Sequence, residues 1–418
     1  MNWNETLRVI PNGVQTLSKM PSKHVDGVYP KYIEKGQGGY IYDHDGNKYV
    51  DYPCGLGAIL LGHNYKTVTQ AVADQMLKGQ LFPIPSQLET ELARKLTEIV
   101  PCAEMVRFLK TGSEATQAAI RLARAYTGKE KVMACGYHGW HDWYNASTDK
   151  NKGTVSALKK TITQFKYNDY DDFKSQFFGK GGKVDIAAVI MEPYMLSEPE
   201  NDFLKKIRKD TEDNGVVLIF DEVVTGFRTL KYSAQAYFNV TPDLSCFGKA
   251  LGNGFPISFV CGKKEIMQEL EGDCFVSSTF GGELTSIAAA LAVLDTLEKT
   301  NGIQHIWTIG SRLIEDFNRY SYAYENTECI GYPCRTFFKF PTGDHKSLFW
   351  QECLRHGVFF GYAQFICLSH DIEHLDITSM AIRESFKVLK KYWDKPLDAL
   401  NGKPAQETFR LVADKVAR

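Results

Sequence analysis

The sequence predicts an α/β protein of two domains built on a covered, parallel sheet, and three observations carry that prediction. Apolar strand-like runs alternate with amphipathic helical runs along most of the chain. The runs at 185–191 (DIAAVIM) and 216–220 (VVLIF) are continuously apolar, as in strands covered on both faces. At 418 residues, 44% hydrophobic and 24% charged, the chain exceeds one typical domain of roughly 100 to 200 residues and can bury a large core. Disorder, collagen and coiled coil are excluded by the same composition.

The elements follow in order. Aromatic and β-branched residues flank Asp45-Gly46 in residues 38–52 (GGYIYDHDGNKYVDY), which predicts a hairpin. Residues 91–100 (ELARKLTEIV) have helical composition. The run VRFL at 106–109 breaks at Thr111-Gly112-Ser113 into a helix rich in alanine, leucine and arginine, a strand, tight turn and helix in succession. KVMACG (131–136) and DIAAVIM are further strands, residues 201–215 are a helix closed by Gly215, and VVLIF is the next strand. Residues 284–302 form a long alanine-rich helix stopping at Asn301-Gly302, where the lobe boundary is placed. Beyond it, CRTFFKF, a helix around SLFWQECLRHG, VFFGYA, QFICLS and the helix MAIRESFKVLKKYW read as a smaller α+β lobe. The expected division is therefore 1–60 and 303–418 for the terminal segments of the small lobe and 61–302 for the large domain.

Forty-nine basic against fifty acidic residues, with no run of one sign, leave no electrostatic footprint for nucleic acid or an anionic membrane. The first residues lack a basic segment followed by an apolar one, and no window approaches 18 uncharged apolar residues, so a cytoplasmic protein with a small-molecule partner is expected. Ten cysteines are scattered without a C-x-x-C pair. They signal neither a disulfide framework nor a metal site and read as buried small hydrophobes.

Five sites fall at strand ends or adjoining loops, where an open parallel sheet binds ligands. Thr111-Gly112-Ser113 precedes a helix whose first N–H groups can hold a phosphate, although Ser113 as a plain N-cap explains it equally. Tyr137-His138-Gly139-Trp140 offers an aromatic face for a planar ring, or simply burial. Glu192 and Asp221-Glu222 end two apolar strands. A carboxylate there keeps a heteroaromatic nitrogen protonated, or caps a helix. Lys249 lies among glycines and apolar residues, 28 positions after Asp221. Desolvation there turns an amine into a nucleophile toward aldehydes, while a lysine snorkelling to solvent is the ordinary reading.

Taken in order, these residues resemble the class III aminotransferases of the pyridoxal phosphate (PLP) fold type I superfamily, with glutamate-1-semialdehyde aminomutases the nearest in kind. The resemblance runs through Pro11-Asn12-Gly13-Val14, DHDGNKYVDY, Leu61-Gly62-His63-Asn64, TGSEATQAAIRLARAYTG, YHGW, IFDEVVTGFR, PDLSCFGKALGNGFP and SSTFGGE. It implies a large domain with a mostly parallel seven-stranded sheet, a small α+β lobe from both termini, PLP as cofactor and a homodimer with its active site at the subunit interface. Lys249 then resembles the Schiff-base lysine, Asp221 the partner of the pyridine nitrogen and Tyr137 the ring-stacking aromatic. Gly112 and Ser113 hold the phosphate, joined by Thr279 from the neighbouring subunit. Glu192 lies near the ring hydroxyl, and His138 near the ring.

Three departures fall on substrate-facing positions. The aminomutases' G-V-N-S-P-V-R becomes Gly13-Val14-Gln15-Thr16-Leu17-Ser18-Lys19, so Lys19 stands where arginine would grip a carboxylate in a bidentate fork. Leu56 replaces a pocket tryptophan, and Phe365-Ile366-Cys367-Leu368 replaces F-E-A-G-F and loses its acid. Gln15, Lys19 and Leu56 are the candidate substrate residues. The reading that results is a ping-pong aminotransferase acting on an aldehyde or ketone acceptor. The variant start resembles class III enzymes of surface polysaccharide or amino-sugar pathways, which points to an oxo-sugar or other polar carbonyl. The alternatives are a glutamate-1-semialdehyde aminomutase, a decarboxylase or racemase on the same scaffold, and a non-catalytic dimeric scaffold.

Overall fold

The computed structural model describes residues 3–406. Two compact units are present: one runs to Tyr65 and resumes at Gln304, and the other spans Lys66–Ile303.

The larger unit holds a seven-stranded sheet. Its strands are β1 (Met105–Leu109), β2 (Val132–Cys135), β3 (Ile162–Gln164), β4 (Ala188–Met191), β5 (Val217–Asp221), β6 (Leu244–Phe247) and β7 (Ser258–Gly262). The order across the sheet is β1-β7-β6-β5-β4-β2-β3. All are parallel except β7, which runs antiparallel to both β1 and β6. Strands β2, β4, β5 and β6 are buried at every position, which is why they are continuously apolar in sequence. One core lies against α1 (Gly112–Thr127), where Ala115, Ala119 and Leu122 meet Ile190, Ile219 and Val260. The other face is filled by Phe165, Phe173, Phe177, Phe203 and Phe220.

Three local corrections follow from hydrogen bonding. The N-cap of α1 is Thr111, not Ser113: its hydroxyl accepts from Glu114 N at 3.2 Å while the Glu114 carboxylate takes Thr111 N at 2.7 Å, a reciprocal capping box. Strand β5 continues one residue past the apolar run to include Asp221. The alanine-rich helix ends at Thr300 with Asn301 left-handed (φ 48°), and a helix unseen in the sequence pattern, Gly302–Ser321, follows at once.

In the terminal unit, the Asp45-Gly46 hairpin pairs Tyr40–Asp43 with Lys48–Asp51. They belong to a four-stranded sheet completed by Ile33–Gln37 and Val358–Phe359. A three-stranded sheet is made by Glu328–Tyr332, Arg335–Lys339 and Gln364–Phe365. Nine cysteines are buried and Cys274 is half-buried. No helix among the described residues is long and apolar enough to cross a membrane.

Candidate active site

The candidate residues of the large unit gather at one edge of the sheet because the parallel strands all end there. Asp221 closes β5 and lies 4% exposed. Its register partner across β6 is Cys246, three residues before Lys249. Met191 pairs with Phe220, which puts Glu192, buried after β4, one step along the same edge. Tyr137 and His138 follow β2, and Gly112 and Ser113 follow β1.

Asp221 is held from two sides. His138 Nδ1 stands 2.8 Å from its Oδ2, and Val223 N donates to its Oδ1 at 3.1 Å. The other ring nitrogen of His138, Nε2, is 3.1 Å from the Cys135 carbonyl. The ring is thus held between the Asp221 carboxylate and the Cys135 carbonyl, one at each nitrogen. His138 is 1% exposed, and Thr116 Oγ1 donates to its carbonyl at 2.8 Å, which fixes the loop that carries it.

The phosphate candidates sit on the first turn of α1, where N–H groups lack intrahelical partners and the dipole is positive. Ser113 Oγ accepts from Trp140 N at 3.0 Å, which leaves the hydroxyl proton directed to another acceptor. The backbone is close-packed around this turn. A Cβ at Gly112 would meet Val223 Cγ1 at 2.6 Å, and one at Gly139 (φ 97°) would meet Ser113 Oγ at 2.3 Å. A methyl at residue 139 therefore displaces the serine. Gly139→Ala is expected to weaken PLP retention by about 10-fold or more, the scale of one hydrogen bond to a charged group, measured by cofactor titration of the apoenzyme.

Lys249 follows β6 with φ 42°, a left-handed backbone that a non-glycine residue adopts at a cost. Sequence composition gave no sign of this strained turn. Tyr137 is half-buried and packs edge-on to Tyr144 with ring centroids 5.8 Å apart; Tyr137 N donates to Glu192 Oε1 at 3.3 Å. Thr279 is exposed, and among the described residues no hydrogen bond joins it to this group. Gln15, Lys19 and Leu56 lie in the terminal unit; Gln15 and Lys19 are exposed and Leu56 half-buried.

Glu222 separates from its neighbour in role. Fully buried, it accepts from Ala234 N at 2.6 Å, Gln235 N at 3.3 Å, Gln235 Nε2 at 3.1 Å and Thr225 Oγ1 at 3.2 Å, and so caps the helix Ala234–Phe238. Burial pushes its carboxyl up to about 7 against these donors. The native state thus keeps a proton that the unfolded chain releases above its ordinary value of 4.5, and stability falls as pH rises between 4.5 and about 7. That loss is on the order of 3 kcal/mol. Glu222→Gln turns an amide N–H₂ toward N–H donors and is expected to cost about 2 kcal/mol while flattening this pH dependence. Unfolding midpoints of both proteins across pH 5 to 8, each with approximate spacing of half a unit, check it.

The donor set fits PLP: a helix terminus and hydroxyl for a phosphate, a buried carboxylate for a ring nitrogen, an aromatic for a ring face and an amine for an aldehyde. Comparison with known proteins agrees. Residues 22–360 match the model of the aminotransferase class-III family. The chain is 36% identical over 405 residues to 3-aminobutyryl-CoA aminotransferase of Cloacimonas acidaminovorans, covering 93% of this chain and 96% of that protein. It is 34% identical over 422 residues to glutamate-1-semialdehyde 2,1-aminomutase of Sulfurisphaera tokodaii, covering 93% and 99%. Among solved structures, the PLP internal aldimine form of the Sphingopyxis sp. MTA144 FumI protein superposes with a TM-score of 0.88 at 26% identity, covering 96% of this chain and 97% of that one. An omega-transaminase from Sphaerobacter thermophilus gives 0.84 at 25% identity, covering 92% and 96%. A family match across most of the chain, full-length relatives and the fold of PLP enzymes lead to one conclusion: this chain belongs to the class-III aminotransferases, enzymes with PLP-dependent aminotransferase or aminomutase activity.

Proposed function

We propose that this enzyme transfers an amino group from an amino donor to a separate aldehyde or ketone acceptor, in two half-reactions at one site, with a polar carbonyl such as an oxo-sugar as acceptor. The observation that carries the chemistry is the buried Asp221–His138 pair at the same sheet edge as Lys249. PLP, when bound, supplies an aldehyde for amine exchange and a ring that accepts the electron pair left when a substrate C–H bond breaks.

The chain's own residues do the rest. Gly112 and Ser113 bind the phosphate through the helix terminus and one hydroxyl. Asp221, oriented by His138, holds a proton at the ring nitrogen. Tyr137 would cover the ring face, and Glu192 would lie toward the ring hydroxyl. Lys249 would hold the cofactor through its aldehyde, and its freed Nζ would serve as the base that moves a proton. The large domain expected over residues 61–302 is the cofactor-binding domain in this reading.

Lys19 in place of arginine supports transfer over the mutase reaction, because a lysine cannot offer the paired donors that grip a carboxylate. The likeness to glutamate-1-semialdehyde aminomutases supports the second reading. The test is absorption of the PLP-loaded enzyme with single donors. Bleaching by one donor and recovery with a carbonyl compound sustains transfer, and comparing an oxo-sugar with a β-keto thioester defines the acceptor. Conversion of glutamate-1-semialdehyde to 5-aminolevulinate with robust turnover overturns it in favour of the mutase.

The active assembly in this proposal is a homodimer. Leu77 is 90% exposed, and Ile84, Phe275 and Phe280 are exposed too. Segments 76–84 and 275–284 are tied by Leu284 N donating to the Gln80 carbonyl at 2.9 Å. An apolar surface of this kind marks an interface, and it supports the reading that Thr279 reaches the phosphate of a second subunit. Sedimentation of Phe280→Asp is expected to show monomer with weakened PLP retention.

A further inference from the structure

Three soft donors meet in the terminal unit, none of them among the residues assigned above to the cofactor. Cys54 Sγ, Cys367 Sγ and a ring nitrogen of His370 all lie within 4.8 Å of one another. Each residue is 1% exposed or less. Cys54 and Cys367 are far apart in sequence, so the local Cys367-Leu368-Ser369-His370 spacing could announce only two of the three donors.

The backbone holds these donors in advance. Cys54 opens a left-handed turn with φ of 45° at Cys54, 60° at Gly55, 61° at Leu56 and 82° at Gly57. Two of these residues are not glycine, and strain of this kind persists only where the surroundings impose it. Here they do. Cys54 N donates to Asp51 Oδ1 at 3.2 Å and Ile59 N donates to the Cys54 carbonyl at 2.9 Å. On the facing segment, Phe365 N donates to the Tyr52 carbonyl at 2.7 Å and Leu368 N to the Leu60 carbonyl at 2.8 Å. A turn between Cys367 and His370 closes with His370 N donating to the Cys367 carbonyl at 3.0 Å, and His305 Nε2 holds the His370 carbonyl at 2.7 Å.

The donor types decide what fits. Magnesium and calcium take six or more oxygen ligands, and no carboxylate oxygen belongs to the set. Two sulfurs and an imidazole select thiophilic ions. With metal–sulfur bonds of about 2.3 Å and metal–nitrogen bonds of about 2.0 Å, donors stand about 4 Å apart, so only a small closure is needed. Two backbone carbonyls border Cys54 Sγ, that of Asp51 at 3.1 Å and that of Phe365 at 3.5 Å.

We propose that Cys54, Cys367 and His370 bind one thiophilic d10 cation, Zn(II) or Cu(I), enclosed within the terminal unit. The two ions share this donor chemistry and differ in coordination number: Zn(II) completes four with an oxygen such as a backbone carbonyl beside Cys54, and Cu(I) stays three-coordinate. The ion is structural, since an enclosed site keeps no open position for substrate. It pins the turn that carries Leu56. That consequence rests on reading Leu56 as substrate-facing; the binding site does not.

The full-length, PLP-loaded protein is stripped with chelator, incubated under anaerobic reducing conditions with Zn(II) or Cu(I), desalted and assayed for bound metal. Wild type is expected to keep about one ion per chain and to gain thermal stability, as ligation of the folded state requires. Cys54→Ser, Cys367→Ser and His370→Asn are expected to keep none, and Cys102→Ser to match wild type. X-ray absorption of the metal-loaded wild type needs no variant: two sulfurs and one nitrogen sustain the proposal, with an added oxygen identifying Zn(II) and none identifying Cu(I). No retained ion in wild type, wild-type retention in Cys54→Ser or Cys367→Ser, loss in Cys102→Ser, or a sulfur count other than two overturns it.

Discussion

Lys249→Ala is expected to reduce turnover by on the order of 10⁴ or more, with the protein folded and PLP still bound. A positioned general base contributes about 10² to 10⁴ in rate, and loss of the amine that anchors the cofactor adds to that. Two readouts separate the chemistry from a structural role. Borohydride treatment attaches the cofactor to the Lys249 peptide in wild type and attaches nothing there in the variant, and small exogenous amines partly restore turnover. Lys249→Arg keeps the charge but offers no neutral amine, so it stays inactive. The backbone gives a further check. Since Lys249 sits at φ 42°, Lys249→Gly relieves the left-handed strain that alanine retains. The glycine variant is expected to be more stable than the alanine variant by about 1 kcal/mol, measured by denaturant unfolding of the two apoproteins. Turnover within about 10-fold of wild type in Lys249→Ala rejects the role given to this lysine.

What the sequence disclosed depended on whether the signal was local. Strands β2, β4, β5 and β6 announce themselves because burial on both faces removes every polar alternate, and the hairpin at Asp45-Gly46 is written in its turn residues. Strand β7, the one antiparallel member, carries no mark of its direction, since direction is set by the path of the chain and not by composition. The helix Gly302–Ser321 was hidden because Asn301-Gly302 reads as a stop, and here a stop and a restart are adjacent. Side-chain pairings were the least legible. Asp221 and Glu222 are neighbours with identical chemistry in the sequence, yet alternation along the strand end sends one to His138 and the other to the cap of Ala234–Phe238. The gathering of Cys54 with Cys367 and His370 is of the same kind: only the short Cys367–His370 spacing is local, and Cys54 joins it through tertiary packing.

The Asp221–His138 pair makes the second large expectation. Asp221→Asn preserves size and hydrogen-bonding capacity but removes the charge that favours a protonated ring nitrogen. Electrostatic groups of this kind are worth about 10² to 10³ in kcat each, so a loss of at least that scale is expected with PLP retained. The amide also disturbs His138, whose Nδ1 lies 2.8 Å from the carboxylate it replaces and whose Nε2 lies 3.1 Å from Cys135 O. Because the imidazole touches Asp221 and not the reacting atoms in this assignment, it is a positioning residue, and its effect must pass through the carboxylate. A double-mutant cycle tests that directly. His138→Asn alone is expected to lower kcat by a factor matching a coupling of roughly 0.5 to 3 kcal/mol, and to lower it little further when Asp221 is already asparagine. Additive losses, with His138→Asn costing the same in both backgrounds, would show that the imidazole acts elsewhere. If Asp221→Asn keeps nearly full kcat while binding PLP, the buried pair serves only the fold, and the electron-accepting role must belong to another acid at the sheet edge, of which Glu192, buried at the end of β4, is the nearest by register.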